Sequence, residues 1–201
     1  IGLVGLLVLC TAQLGHAETI NLVSANTGTA TAAIGGRYRA DWIDQQTTGT
    51  GVIEPFLRVQ GNEAEQGYNQ STGGPFDTKT GTWTHSITLA EIPQVILGGV
   101  VYRQFLLDIN QNTGGQSNNL LSLNQVQLFL SAAPAPDNAL TMSSTNPAVW
   151  AGFAGATEVF RMTGVGLVDV IELDFDRNPG SGAGDMFLYV RDSVFTGAGT
   201  Q

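Results

Sequence analysis

One acidic segment carries the residues whose types and spacing are best suited to chemistry. Carboxylate and amide side chains alternate at Asp174, Asp176 and Asn178, and Asp185 falls where an EF-hand loop would place its bidentate acid. Alternating oxygen atoms can converge on one hard cation, and Ca²⁺ takes six to eight such ligands. The glycine arrives later than in an EF-hand and no helices flank the segment. We therefore predict Ca²⁺ in a loop between β-strands. The alternative is that these side chains only stabilise turns.

A second segment repeats this alternation with fewer carboxylates. Asp108, Asn110 and Asn112 precede a glycine pair, and Asn119 stands where a closing acid would be needed. This segment is the weaker candidate for Ca²⁺. Local hydrogen bonding in turns is again the alternative. The two acidic segments could also combine in space, which the sequence alone does not decide.

Short strands must position these segments. Apolar and polar residues alternate with the period of a half-buried strand, and Gly98-Gly99 separates two apolar runs as a hairpin turn would. The many short strands and glycine-rich turns predict an all-β fold, specifically an antiparallel, jelly-roll-like β-sandwich. The predicted strands lie within residues 56–60, 83–89, 125–130, 171–175 and 186–190.

Composition and charge narrow the class of protein. The chain of 201 residues is 42% hydrophobic and only 12% charged, with a formal net charge of −9. Eight basic residues are too few for a surface that follows nucleic-acid phosphates, so nucleic-acid binding is excluded as a main function. Low charge and abundant glycine favour an exported β-rich protein.

The amino-terminal residues resemble a secretory signal peptide. Ile1 to Leu9 are almost entirely apolar. The small residues Gly15 and Ala17 precede a predicted cleavage position between Ala17 and Glu18. We expect an incomplete signal peptide at 1–17, one β-sandwich domain at 18–195, and the start of a linker at 196–201. Cleavage would remove Cys10, the only cysteine, and leave a mature chain with no disulfide and no membrane span. The expected location is secreted or at the cell surface.

Catalytic and sugar-binding arrangements are less strongly indicated. His85 is the only histidine beyond the predicted signal peptide, and no nucleophile elbow accompanies it. A pair of glutamates could serve a secreted hydrolase, but no spacing selects one pair. Four rings could stack on sugars as in a carbohydrate-binding module, although packing in the core is the commoner role of such residues: Trp42, Trp83, Tyr68 and Tyr102.

Several longer stretches together resemble a known group of sequences. The group consists of uncharacterised exported bacterial proteins that often end in a PEP-CTERM sorting signal, and the resemblance spans most of the mature chain. It implies a signal peptide and a β-rich ectodomain at the cell surface, and it implies no activity. The stretches are residues 48–60, 65–69, 105–111, 120–123 and 182–189.

These observations lead to a main hypothesis and two alternatives. The main hypothesis is an exported, non-enzymatic protein of the cell surface or extracellular matrix, with a structural Ca²⁺ loop and with polysaccharide or further copies of itself as partners. The first alternative is a carbohydrate-binding module. The second is a secreted hydrolase.

Overall fold

The computed structural model describes residues 17–43, 57–59, 67, 69, 87–109, 119–132, 155–164, 169–178 and 184–196. Strands make up nearly all the regular structure of these residues, and the all-β fold expected from the sequence is confirmed. The helical elements among them are a 3-10 turn at Phe175–Arg177 and a single turn, α1, at Ser193–Thr196. No helix in the described ranges has the length and apolar character needed to cross a membrane.

Within the described ranges, eleven strands are distributed over sheets of six, three and two strands. The largest sheet has the order β2-β3-β11-β6-β4, with β5 also paired to β6; the second has the order β1-β10-β7, and β8 pairs with β9. In chain order the strands are β1 (Thr19–Asn21), β2 (Thr27–Thr31), β3 (Arg37–Trp42), β4 (Leu57–Val59), β5 (Gln94–Leu97), β6 (Val100–Ile109), β7 (Leu120–Leu123), β8 (Gln127–Ser131), β9 (Ala156–Arg161), β10 (Val170–Asp174) and β11 (Met186–Arg191).

Most strand pairs are antiparallel, as expected, but two are parallel. β1 pairs in parallel with β10, and β4 pairs in parallel with β6. A parallel pair needs a long connection between its strands, and the chain between β1 and β10 supplies one. The backbone N–H of Glu18 also donates to the carboxylate of Asp169 at 2.8 Å, which fixes the start of β1 beside β10.

The sheets share one apolar core because their strands alternate in burial. Along β3 the side chains of Tyr38, Ala40 and Trp42 are buried, whereas Arg37 and Asp41 point to the opposite side. Met186 and the alternate residues that follow it continue the buried face on β11. Residues from all three sheets meet in this core, including Ile20, Leu128, Phe160, Ile171 and Leu188.

Two sequence expectations have clear structural outcomes. The Gly98-Gly99 turn is present between β5 and β6, and both glycines have positive φ, at 58° and 80°. We predicted a strand over residues 83–89. Residues 87–89, the part of that range that the structure describes, are not a strand, because residues 87–90 form coil and turn. There the backbone N–H and hydroxyl of Thr88 donate to the carboxylate of Glu91, each at 2.6 Å, and this local turn replaces strand pairing. The predicted signal peptide before Ala17 and the linker after Thr196 lie outside the described residues.

Candidate functional site

The predicted calcium ligands of the acidic segment at residues 174–185 mostly serve the backbone around them. The Asp174 carboxylate accepts from the amide of Asn119 at 2.8 Å and from the backbone N–H of Asp176 at 3.0 Å, so it caps the 3-10 turn. The amide of Asn178 is buried and donates to the backbone carbonyl of Gly184 at 2.8 Å. Asp176 is exposed. These contacts are those of turn-stabilising side chains.

Asp185, the last residue of that segment, meets the other acidic segment, at residues 108–112, instead. Asp185 donates its backbone N–H to the carbonyl of Leu107 at 2.9 Å, and the pairing of Met186 with Leu107 places Asp185 opposite Asp108. Both carboxyl groups are buried, with residue exposures of 0% and 1%. Arg58 is the register partner of Asp108 on β4. The two acidic segments therefore do meet, through one residue of each, at the same end of β6 and β11.

No group of three or more acidic, histidine or cysteine side chains forms a metal-binding cluster within the described ranges. Several of the predicted site residues lie outside those ranges: Asn110, Asn112, His85, Trp83 and Tyr68. Trp42 is buried in the core, and the Arg177 guanidinium lies 4.6 Å from the centre of its ring. Trp42 is thus a packing residue with a covered face, and it offers no open platform for a sugar.

The six-stranded sheet also has a second face, which we call the outer face because it points away from the shared core. Polar, cationic and aromatic side chains occupy it, and strand register brings them together from four different strands. The residues of the outer face are Thr27, Thr29 and Thr31 of β2, Arg37, Arg39 and Asp41 of β3, Phe187, Tyr189 and Arg191 of β11, Tyr102, Gln104, Leu106 and Asp108 of β6, and Asp185 just before β11.

Cross-strand pairing orders these side chains into rows. In the central row Thr29 pairs with Arg39, Arg39 with Tyr189, and Tyr189 with Gln104. Neighbouring strands lie about 4.8 Å apart, so this row of four strands spans roughly 14 Å. A row of this length, ending in an exposed threonine, can contact several groups of an extended ligand at once.

Aromatic rings form the middle of the outer face. Tyr189 makes an edge-on contact with Tyr102 at 6.5 Å between ring centres, and Phe187 lies 6.1 Å from Tyr189. The Tyr189 hydroxyl accepts from the amide of Gln104 at 3.3 Å, and burial raises the pKa of that hydroxyl. Tyr189 is itself buried, whereas Tyr102 and Phe187 are half-buried. The accessible aromatic surface therefore belongs to Tyr102 and Phe187.

Arginines flank the rings. The Arg39 Nε donates to the Asp41 carboxylate at 2.6 Å, and this hydrogen bond raises the pKa of the guanidinium. Exposed Arg37 donates to the hydroxyl of Thr29 at 2.7 Å. The Nε of Arg191 is buried and has no hydrogen-bond partner in the part of the chain that the structure describes.

The sequence reasoning named Tyr102 among the rings that could stack on sugars, but it did not identify the face to which Tyr102 belongs. Its residues lie on strands separated by up to about 150 positions, and only the fold brings them together. One local signal was available in β3: its charged residues alternate along the strand with the buried residues Tyr38, Ala40 and Trp42. Such alternation marks a strand with a polar outward face.

Comparison with known proteins found no relative of this chain. No protein-family model, curated protein or solved structure matches the chain. The chemistry of the outer face must therefore be argued from its own residues. They offer ring surfaces, hydroxyls, an amide and guanidinium groups, which suit the binding of a polar, ring-containing polymer.

Proposed function

We propose that this chain is an exported, non-catalytic β-sandwich that binds extracellular polysaccharide on the outer face of its six-stranded sheet. The observation that carries the proposal is the row Thr29–Arg39–Tyr189–Gln104, with Tyr102 beside it. A site that binds a polar ligand needs apolar surface together with a few placed hydrogen-bonding groups. The rings of Tyr102 and Phe187 supply the first, and the threonine, glutamine and arginine side chains supply the second.

Binding on this face would not require catalysis. Asp41, the carboxylate of the open part of the face, is held by Arg39 and by the hydroxyl of Thr27 at 2.5 Å. Glu158 elsewhere is likewise held by Arg161. A glycosidase needs two carboxyl groups facing each other across its substrate. The hydrolase alternative therefore draws no support from these described carboxylates.

Export is the part of the proposal that rests on the sequence. The apolar run Ile1 to Leu9 and the small residues before Glu18 support cleavage after Ala17. Amino-terminal sequencing of protein recovered from the medium or the cell surface is expected to begin at Glu18. Recovery of the chain only inside cells, with Ile1 to Ala17 retained, would contradict export.

Affinity electrophoresis tests the binding function. The 201-residue chain is run through gels containing cellulose derivatives, galactan, xylan, alginate or polygalacturonate. We expect retardation in at least one gel, and we expect Tyr102→Ala to weaken it about tenfold, because one aromatic contact is worth about 1–1.5 kcal/mol. Phe129→Ala, a half-buried aromatic on β8 of another sheet, is the matched control. Free migration in every gel would refute the proposal.

Self-association is the other mode of action that a specific observation favours. Ile96 and Val101 are cross-strand partners on the β5–β6 hairpin, and they are 72% and 40% exposed. An exposed apolar pair at a sheet margin is a surface on which a second copy of the chain could pack. Sedimentation velocity is expected to show concentration-dependent association that Ile96→Thr reduces. A monomer at all concentrations would exclude this mode.

A further inference from the structure

The outer face concentrates positive charge in an acidic protein. The whole chain has eight basic residues and a formal net charge of −9. Three of those basic residues, Arg37, Arg39 and Arg191, lie on the outer face. The described acids of the same face are Asp41, which is bound to Arg39, and the pair Asp108 and Asp185, which are both buried at one end of the sheet. The open part of this face is therefore cationic, although the protein as a whole is anionic.

Two of these arginines retain unused hydrogen-bonding capacity. A guanidinium has five N–H donors, and Arg37 donates one of them to the hydroxyl of Thr29. The Arg191 Nε is buried without an acceptor among the described residues. A buried donor without an acceptor costs free energy, and an incoming acceptor would recover it. Arg191 pairs across the sheet with Tyr102, so its guanidinium stands on the strand next to an accessible ring.

We propose that the outer face selects acidic polysaccharides, specifically polymers of uronic acid. This inference rests on the proposed function and names its ligand class. Carboxylates accept the two parallel hydrogen bonds that a guanidinium offers, so Arg37 and Arg191 would each pair with a uronate. Tyr102 lies beside Arg191 on the neighbouring strand β6, on the side away from Arg37, and would contact the sugar ring there. Exposed Thr29 and Thr31 continue the face with hydroxyl groups, which suits a glycan better than an acidic peptide.

The sharpest test compares one polymer with its carboxylates free and masked. Isothermal titration calorimetry of the 201-residue chain uses polygalacturonate and its methyl ester, which has the same backbone without the charge. We expect at least tenfold weaker binding of the ester. The polygalacturonate affinity should also fall as NaCl is raised from low to physiological concentration, because salt screens the ionic contacts.

Variants assign the effect to residues. Arg37→Gln and Arg191→Gln are each expected to reduce the polygalacturonate affinity roughly tenfold and to reduce the methyl-ester affinity much less, because the ester carries no carboxylate for the guanidinium. Arg37→Lys keeps the charge but loses the planar fork, so it should recover only part of the loss. Arg161→Gln on β9 removes the same charge from another sheet and should have no effect. Circular dichroism and a thermal melt confirm that each variant is folded.

The outcomes separate the inference from the function on which it rests. Equal binding of polygalacturonate and its methyl ester would overturn the selectivity while keeping polysaccharide binding. Loss of acidic binding in Arg161→Gln as well would assign the effect to net charge and overturn the site. Failure to bind either polymer or the wider panel would overturn the proposed function itself.

Discussion

Gly28 of β2 lies directly against Ile20 of β1, so close that a methyl group in place of the glycine hydrogen would stand 2.4 Å from Ile20 Cγ2. The two residues belong to different sheets, and the contact is where the three-stranded and six-stranded sheets meet. Ile20 is buried in the shared core. Real carbon atoms do not approach so closely, so only glycine permits this spacing of the sheets.

The first prediction is that Gly28→Ala destabilises the fold. Overpacking a well-packed core typically costs about 1–3 kcal/mol, and we expect a loss of that size in the free energy of unfolding. Urea denaturation measures it. Thr29→Ala, at the adjacent exposed position of β2, should change stability little, and Gly28→Ala combined with Ile20→Ala should show coupling because the clashing methyl is gone. Strict additivity of the two changes would contradict the contact.

The second prediction concerns Asp169, which fixes the start of β1. Burial raises the pKa of its carboxyl group, and the nearby charge of Glu18 raises it further. A raised folded-state pKa means that ionisation opposes folding, so the cost is absent below the ordinary aspartate pKa of about 3.9 and grows as pH rises through the folded-state value. Asp169→Asn keeps an acceptor for the Glu18 N–H and removes that cost.

Thermal melts across pH check this prediction. The melting temperature of Asp169→Asn relative to the unmodified chain should rise between about pH 3.5 and neutral pH. Asp176→Asn, which alters an exposed carboxylate, is the control and should show no such trend. A relative melting temperature that stays constant or falls with pH would show that the Asp169 carboxylate stabilises the fold when ionised.

The third prediction has the opposite sign and concerns Asp192. Hydrogen bonds from Gln94 at 2.9 Å and from Arg103 at 2.6 Å lower the pKa of its carboxyl group. Arg103 also donates to the carbonyls of Leu89 and Ile92, each at 2.8 Å, so it joins the hairpin to the chain before β5. The stability from Asp192 is present above the ordinary aspartate pKa and is lost as pH falls through the lowered value.

Asp192→Asn should therefore destabilise the protein at neutral pH. Hydrogen bonds to charged groups are worth about 1.5–3 kcal/mol, and we expect a loss toward the lower end because asparagine keeps one acceptor. Urea titrations at neutral and acidic pH measure the difference, which should shrink toward about pH 3. If the difference in the free energy of unfolding were independent of pH, the negative charge of Asp192 would contribute nothing to stability.

The fourth prediction tests calcium at the end of the sheet where Asp108 and Asp185 meet. A ligand that binds only the folded state stabilises it, by about 2.7 kcal/mol at a hundredfold excess over its Kd. We expect millimolar Ca²⁺ to raise the melting temperature measured in EDTA. The rise should disappear in Asp108→Asn/Asp185→Asn and persist in Asp174→Asn. Loss in Asp174→Asn instead would place the ion at the 3-10 turn, and no rise in any protein would refute the ion.

Local features of the fold could be predicted from the sequence, whereas its long-range pairing could not. The turn at Gly98-Gly99 and the apolar run that forms β11 are encoded within a few residues, and both are present. The parallel pairing of β1 with β10 joins segments about 150 residues apart, and no local pattern specifies such a partner. The alternating pattern around Thr88 predicted a strand, but a turn forms there. The reason is that side-chain hydrogen bonds, such as the one from Thr88 to Glu91, compete with strand pairing.

The candidate site shows the same division. Alternating oxygens singled out Asp108 and Asp185 separately, and the sequence left open whether their segments combine. The β6–β11 register brings these two residues together and leaves Asp174 to cap its turn. The prediction that Trp42 binds sugar was less useful. A tryptophan ring suits both a core and a sugar-binding surface, and only its burial in the structure distinguishes the two roles.

The most direct test of the account is a thiol footprint of the outer face. Thr31→Cys on the outer face and Thr157→Cys on β9 are exposed strand positions of the same residue type, each made in a Cys10→Ser background. Maleimide labelling is followed by mass spectrometry with and without polygalacturonate. We expect the polymer to slow labelling several-fold at position 31 and to leave position 157 unchanged. Unchanged labelling at position 31, or equal slowing at both positions, would contradict binding on the outer face.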